Sequence, residues 1–494
     1  MDTNEHFDLC VIGGGASGYA AAMRAIDFGK KVLLIEKEKI GGTGIFNGAL
    51  SSKTMWEYSQ KISAIRSEVP DFNVHFSDVK KVLEEATYEK KFQMDCHLTL
   101  LKKESKQRLL YLERGTAKLI SEHKVSIIKH NNEEKFITAD FILLATGSRP
   151  RKLGSIDVDE KIIMTSNGIE HLEDFPESLV ILGAGVVGCE YATIFSNFGK
   201  TKVYLIDKAD RILPFEDDDV AEMVTSNMEK SGVVIHKNAS LVKMEIENGK
   251  VKYELKYTNG TNEIICVDKA LISVGRIPNT ENLGLQQVGV KITERGSVWD
   301  NDTQTSIKNI FVSGDLTSEI ALVNVGEREA RHAIVRMFGP PVKPLVYKNI
   351  STIMFLNPEV ASVGLGEQDA IKQGISFKVA KIDFTTISRA IAMRKTTGFF
   401  KLIVTNDDEM KILGMRAVGE HASSAIQAVA LLIYMNKGIE ELGHMLHPHP
   451  SIIEGVQECA RMLLGKSIYK SSMFKDKLKC FKYENGVMTP LENL

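Results

Sequence analysis

Asp8-Leu9-Cys10-Val11-Ile12-Gly13-Gly14-Gly15-Ala16-Ser17-Gly18 is the stretch that decides the fold. A short apolar run gives way at once to glycines, and a helical pattern follows from Tyr19 to Phe28. The expected product is a strand, a tight turn and a helix. Gly13 permits the turn, Gly15 lets the backbone approach a pyrophosphate, and Gly18 lets helix and strand pack closely, with the helix N-terminus facing the negative charge. A second apolar run, Lys31-Val32-Leu33-Leu34-Ile35, ends in Glu36, 23 residues after Gly13. That is where a carboxylate grips a ribose. Glycine spacing alone is weak evidence; strand, helix and terminal acid together specify a dinucleotide-binding unit.

The same unit recurs. Leu179-Val180-Ile181-Leu182 leads into Gly183-Ala184-Gly185-Val186-Val187-Gly188, a helix runs through Phe198, and Lys202-Val203-Tyr204-Leu205-Ile206 ends in Asp207. Two such units imply two dinucleotides, as moving a hydride between cofactors requires. Asp207 accepts hydrogen bonds from a free ribose 2′-OH and repels a 2′-phosphate, which favours NAD at the second site. Lys208 and Arg211 keep NADP open, since either reaches a phosphate if the loop turns toward it.

A chain of 494 residues is too long for one core and implies roughly two to four domains. A formal net charge of −2 argues against a nucleic-acid or membrane-surface protein held by bulk electrostatics. The longest apolar runs, such as Ala428 to Met435, fall short of the roughly 20 residues of a membrane span. Met1 to Phe7 is short and polar and leads straight into a strand, with no room for a signal peptide, so a cytoplasmic location is expected. Six cysteines stand singly, without C-x-x-C spacing, and read as reduced thiols. No set of metal ligands is assigned.

Between the two units, Ser77 to Lys106 reads as a long helix of mixed charge with Leu83, Met94, Leu98 and Leu101 among its apolar positions. Phe141-Ile142-Leu143-Leu144-Ala145-Thr146-Gly147-Ser148-Arg149-Pro150 is a buried strand ending in a turn, and Ala270-Leu271-Ile272-Ser273-Val274-Gly275-Arg276-Ile277-Pro278-Asn279 is the matching exit. The second unit is therefore inserted into the first. Asn309-Ile310-Phe311-Val312-Ser313-Gly314-Asp315 is another strand with a Gly-Asp end, and a helix follows from Asn324 to Phe338. Gly339-Pro340-Pro341 marks a linker. From Ile353 apolar strands (Phe399 to Val404, Lys411 to Ala417) alternate with helices (Ser423 to Met435, Ile452 to Leu464), an α+β pattern. Lys466 to Leu494 is basic and then polar, and no structure is assigned to it.

Taken in order, the two glycine fingerprints, Ala145-Thr146-Gly147, Val274-Gly275-Arg276-Ile277-Pro278-Asn279, Gly314-Asp315, Asn357-Pro358-Glu359-Val360-Ala361-Ser362-Val363-Gly364 and His449-Pro450 with Glu454 resemble the pyridine nucleotide-disulfide oxidoreductase family. The likeness is greatest to its dihydrolipoamide dehydrogenase and soluble transhydrogenase branches, and it spans about Phe7 to Gly465. It implies an α/β chain with two Rossmann-like domains and a C-terminal α+β dimerisation domain. The domains would be 1–150 with 276–345 for FAD, 151–275 for NAD(P), and 346–465 for a homodimer, followed by the tail 466–494. By the resemblance Gly13, Gly15, Gly18, Glu36, Thr43, Thr146, Gly147, Gly275, Arg276, Gly314 and Asp315 serve the cofactors with Gly183, Gly185, Gly188 and Asp207. Lys53 would lie beside the flavin and pair with Glu190. His449, oriented by Glu454, would reach the partner's site as an acid-base group.

One departure dominates. In that family the segment matching Gly41 to Lys53 carries two redox cysteines, and here Gly44 and Ala49 stand in their places. Disulfide exchange needs a thiolate and a second sulfur to close on. Cys189 belongs to the helix after the second glycine turn, where packing is the usual role; Cys459 and Cys480 lie far along the chain. Asn324 stands where a histidine is usual, Ser51 replaces a proline, and Phe46 replaces an asparagine, either filling volume or offering a ring for stacking. The expectation is an FAD-dependent enzyme that passes hydride from NAD(P)H to a small non-disulfide acceptor. Transhydrogenation between NAD(P) molecules is favoured; a quinone or diaphorase-type reductase and a silent flavoprotein scaffold are the alternatives.

Overall fold

Strands buried on both faces read as nearly unbroken apolar runs, and Glu5–Ile12 and Val32–Glu36 have that character. In the computed structural model, which describes residues 5–46, 48–104, 109–470 and 473–491, the two pair in parallel from Leu9 with Val32 to Ile12 with Ile35. Glu134–Leu144 lies in parallel on the other side of Glu5–Ile12, and Ile310–Val312 lies beyond it. Leu110–Arg114 extends the opposite edge. Leu9, Val11, Val32 and Leu34 point to one face, where Ala21, Ala22 and Ala25 of the helix Ala16–Asp27 meet Ala330, Ala333 and Ile334 of the helix Val323–Phe338. Cys10, Ile12, Leu33 and Ile35 point to the other face, against Leu119, Val125 and Ile127 of an antiparallel flap. A period of two thus sorts one strand into two cores. The long helix expected near Ser77 runs from Phe76 to Glu104, with Val79, Leu83 and Leu98 buried.

These elements belong to one compact unit, formed by the residues up to Phe175 together with Lys269–Leu345; Pro176–Asp268 and Val346–Leu494 form a second. In the second unit Ser178–Leu182, Lys202–Ile206 and Val234–His236 form a parallel sheet beside the helix Val186–Phe198. A three-stranded antiparallel meander follows, from Ala239 to Val267. The C-terminal part is a seven-stranded sheet in the order Ser351–Met354, Val360–Gly364, Ile412–Val418, Phe399–Thr405, Phe377–Asp383, Leu478–Glu484 and Val487–Pro490. Helices Gln427–Tyr434 and Glu454–Leu463 supply Val429, Ile433, Val456 and Cys459 to its apolar face.

The tail departs from expectation. Leu478–Glu484 pairs with Phe377–Asp383 from Phe377 with Tyr483 to Ile382 with Leu478 and turns back into Val487–Pro490, so the tail covers an edge that would otherwise be open. Leu478 and Cys480 enter the core, an alternation too short to outweigh the surrounding lysines in the sequence.

A buried charge cluster ties the C-terminal sheet to the segment after the second nucleotide fold. The Lys401 ammonium, only 1% exposed, lies 2.8 Å from Asp217, 2.7 Å from Asp219 and 2.6 Å from Glu367. Burial alone would lower the pKa of Lys401, but the three carboxylates overcome it and push it up. Arg416 adds a 2.8 Å pair with Glu216, which also accepts from Ser362 at 2.6 Å. Removing the lysine takes the nearest cation from Asp217 and Glu367, while Asp219 keeps Lys381 at 2.7 Å. Lys401→Ala is expected to cost about 3–5 kcal/mol, read as a lower urea midpoint for the second unit.

Candidate dinucleotide and proton-handling sites

The first glycine turn is built by close approach. A Cβ on Gly18 would sit 1.9 Å from the Gly13 carbonyl oxygen, and one on Gly13, at φ +106°, would sit 2.3 Å from that of Ala145. Gly15, by contrast, faces open space and opens the helix Ala16–Asp27. Glu36 closes the turn: Oε2 accepts the Gly14 N–H at 2.6 Å and Oε1 the Glu38 N–H at 2.7 Å. Its carboxylate also borders a cavity of about 220 Å³ with Leu34, Leu98, Leu112 and Arg114. Open backbone at a helix N-terminus with a fixed acid beside it fits a dinucleotide's pyrophosphate and ribose.

The Gly41 to Lys53 stretch is docked on this turn, the Gly41 N–H reaching the Gly14 carbonyl at 2.8 Å. Thr43 and Gly44 lie in the short helix Gly42–Ile45, and Ala49 opens the helix Ala49–Glu68. A Cβ on Gly44 would meet Ala16 at 3.7 Å, an ordinary contact. Ser51 uses its hydroxyl to accept the Gly48 N–H at 3.0 Å, a capping role that proline lacks. Phe46 lies under the Lys39 ammonium, 4.9 Å from the ring centroid. Lys53, half-buried, donates to Ser52 at 3.3 Å.

A polar relay joins the remaining residues of the first unit. Arg276 donates Nε–H to Ser148 Oγ at 2.7 Å, and Ser148 donates to Asp315 at 2.5 Å. Burial lowers the pKa of Arg276 against the opposing pull of Asp315. Thr146 donates to the Asn279 carbonyl at 2.8 Å, and the Asn279 N–H returns to Gly147 at 2.9 Å. Gly275, at φ +99°, accepts from the Arg151 N–H at 3.0 Å. Gly314, at φ +72°, donates to Glu329 at 2.7 Å, while Ser17 bonds Ser313 at 2.6 Å. Ser148, Arg276, Asp315, Thr317 and Arg295 border a cavity of about 570 Å³. The roles of Ser148, Glu329 and Ser313 are not legible in the sequence. Ser148 was signalled only by its place after Ala145-Thr146-Gly147, and Glu329 lies mid-helix with no local motif.

The second turn repeats the first. Gly183 has φ +102°, Gly185 faces open space, and Gly188 is buried in the helix behind it. Asp207 holds the Ala184 N–H at 2.7 Å and the Ala209 N–H at 2.9 Å. The Asp207 N–H in turn reaches the His236 carbonyl at 3.0 Å. The His236 ring is buried against Tyr204, with Nδ1 2.6 Å from Tyr257 Oη, and Tyr257 donates to Glu263 at 2.7 Å. Glu190, 5% exposed, accepts the Phe355 N–H at 3.1 Å.

His449 and Glu454 meet as the spacing suggested. Nδ1 of His449 is 2.8 Å from Glu454 Oε1, and Oε2 accepts the Ser451 N–H at 2.8 Å. Burial works to raise the pKa of Glu454, but the Ser451 amide and His449 outweigh it and hold the carboxyl below its usual range. The imidazole is exposed, which leaves Nε2 available to solvent when the proton rests on Nδ1. All six cysteines are free. Cys10, Cys189 and Cys459 are fully buried with thiol pKa values pushed up by desolvation, and burial pushes Cys480 up to about 12.

Residues 7–330 match the family described as pyridine nucleotide-disulphide oxidoreductase, and residues 350–460 match that family's dimerisation domain. The dihydrolipoyl dehydrogenase of Geobacillus stearothermophilus is 32% identical over 472 residues, 94% of this chain and 97% of its own length. That of Bacillus subtilis is 30% identical over 473 residues, 94% and 99% of the two chains. The fold is similar to LpdA from Mycobacterium tuberculosis, with TM-score 0.84 and 23% identity over 93% of this chain and 99% of that one. It is also similar to the HOCl-induced flavoprotein disulfide reductase RclA from Escherichia coli, with TM-score 0.81 and 25% identity over 92% and 100%. Among the described residues no helix is long and apolar enough to cross a membrane.

Gly15→Ala places its methyl in open space, so the unfolding midpoint of the cofactor-free protein should hold while dinucleotide affinity, measured by flavin titration, falls about tenfold or more. Burial lowers the His236 pKa against the pull of Glu263. The unfolded chain then binds that proton more readily, so stability is full above about pH 6.5 and is lost as pH falls from there toward the folded pKa. Urea midpoints measured against pH should show this acid-side loss, and His236→Phe should flatten it.

Proposed function

The chain belongs to the pyridine nucleotide-disulphide oxidoreductase family and is an FAD-dependent oxidoreductase that uses NAD(P)H; from that premise we propose that it delivers hydride to a small non-disulfide acceptor, with NAD(P) transhydrogenation favoured. The observation that carries the proposal is the pair Gly44 and Ala49, two positions without sulfur on the segment docked against the first glycine turn. Thiol–disulfide exchange requires a thiolate, and the buried cysteines are held as neutral thiols. Cys96 and Cys266 are exposed single thiols on a helix and on the meander.

In this reading Gly13, Gly15, Gly18 and Glu36 hold FAD with Thr43, Thr146, Gly147, Gly275, Arg276, Gly314 and Asp315. Gly183, Gly185, Gly188 and Asp207 hold the pyridine nucleotide. FAD supplies the two-electron carrier between nicotinamide and acceptor. Lys53 places a positive charge where negative charge gathers. Asp315, fixed by Ser148, orients hydroxyl groups of the bound cofactor. The assignment of 1–150 with 276–345 to FAD, 151–275 to NAD(P) and 346–465 to a homodimer interface belongs to the same proposal, as does a cytoplasmic location.

A second reading, a quinone or diaphorase-type reductase, is favoured by the formed His449–Glu454 pair. A quinone takes up two protons with its two electrons, and an imidazolium held at Nδ1 by a carboxylate presents Nε2–H as the donor. Transhydrogenation has no use for that group.

Anaerobic titration with NADH tests the proposal. The flavin absorbance should bleach, lipoamide should not restore it, and an oxidised pyridine nucleotide should. Failure to bleach would leave a silent flavoprotein, and lipoamide turnover would overturn the reading of Gly44 and Ala49. Reoxidation by quinone that falls about 100-fold or more in His449→Ala would select the second reading.

A further inference from the structure

We infer that Asp218 tilts the nucleotide preference of the second glycine turn by holding Arg211 away from the adenosine ribose, so that the site favours NAD(H) over a nucleotide with a 2′-phosphate. The inference rests on reading that turn as the pyridine nucleotide site and deepens it. Asp207 at the end of Lys202–Ile206 is committed through both oxygens, to the N–H groups of Ala184 and Ala209. A carboxylate fixed there suits a ribose 2′-OH and opposes a phosphate, unless a guanidinium stands beside it to offset the charge.

The loop after Asp207 carries two cations, Lys208 and Arg211. Arg211 is spoken for. Nη1 donates to the Asp218 carboxylate and Nη2 to the Pro214 carbonyl at 3.0 Å. The backbone around it is anchored: the Leu213 N–H reaches the carbonyl of Ala184 in the glycine turn at 3.0 Å, and Asn238 donates to Ala209 at 2.9 Å. Ile212 and Leu213 are fully buried, with Leu213 in the left-handed region at φ +48°. Arg211 therefore changes its partner by turning its side chain, while its Cα stays two residues from a direct contact with the glycine turn.

Lys208 is exposed and has no ion pair among the described residues, yet it sits directly beside Asp207 and offers a point charge in place of a planar fork. The side chain of Asp218 is 79% exposed on the first turn of the helix Asp218–Lys230 and bonds to Arg211 alone among the described residues. Its neighbours Asp217 and Asp219 do the structural work with Lys401. Removing the Asp218 carboxylate thus frees Arg211 and leaves the buried cluster intact.

The test is isothermal titration of the FAD-loaded protein with NADH and with NADPH, for the wild type, Asp218→Ala, Asp218→Asn and Asp218→Ala/Arg211→Ala. The wild type should favour NADH. Because an exposed ion pair is weak, the gain should be modest: both single variants should bind NADPH about fivefold more tightly relative to NADH. The double variant should return to the wild-type ratio. A ratio that moves less than twofold in the single variants, or a gain that survives loss of Arg211, overturns the inference while leaving the nucleotide site standing. Failure of the wild type to bind either nucleotide overturns the reading of the site and the inference with it.

Discussion

A carboxylate at the end of a parallel strand holds the second peptide N–H of a glycine turn, and the molecule does this twice. Glu36 holds Gly14 at 2.6 Å and Asp207 holds Ala184 at 2.7 Å. Each bond fixes a turn against the neighbouring strand while the third residue, Gly15 or Gly185, stays open. The turn cannot be loosened and still serve. Gly18 approaches the Gly13 carbonyl so closely that no Cβ fits, so helix, turn and strand form one rigid piece. The Gly41 to Lys53 stretch then gains its position by bonding to that piece, and the Arg211 loop by bonding to its counterpart.

Buried charge plays the corresponding part in the second unit. Asp217, Asp219 and Glu367 would repel one another in a dry site, and Lys401 is the charge that permits them to approach. The cluster spans the start of the helix Asp218–Lys230, the start of the helix Glu367–Lys372, and the strand Phe399–Thr405. These segments are joined by chemistry more demanding than apolar contact. A hydrophobic interface tolerates sliding, whereas four charges within hydrogen-bond distance have one satisfactory arrangement.

Gly44 and Ala49 sit in regular local structure. Glycine and alanine leave the local backbone undisturbed, with Ser51 capping the helix that Ala49 opens. Phe46 is covered by Lys39, so the ring has a partner in the protein itself. The glycine turns, the relay through Ser148 and the His449–Glu454 pair are all formed.

The sequence by itself determined the two strand–turn–helix units, the acids that close them, and the His449–Glu454 pair five residues apart. All of these are local, and local spacing carries them because a turn, a helix or a five-residue reach involves few residues. Only the tertiary structure decided that the tail pairs with Phe377–Asp383, that Lys401 neutralises three distant carboxylates, and that Ser148 stands between Arg276 and Asp315. It also decided that Arg211 faces Asp218. Each of those depends on which side chains share a face after the chain has closed: the Ser148 bonds join residues far apart in the chain, and the Arg211–Asp218 pair closes an irregular loop, so none leaves a periodicity to read.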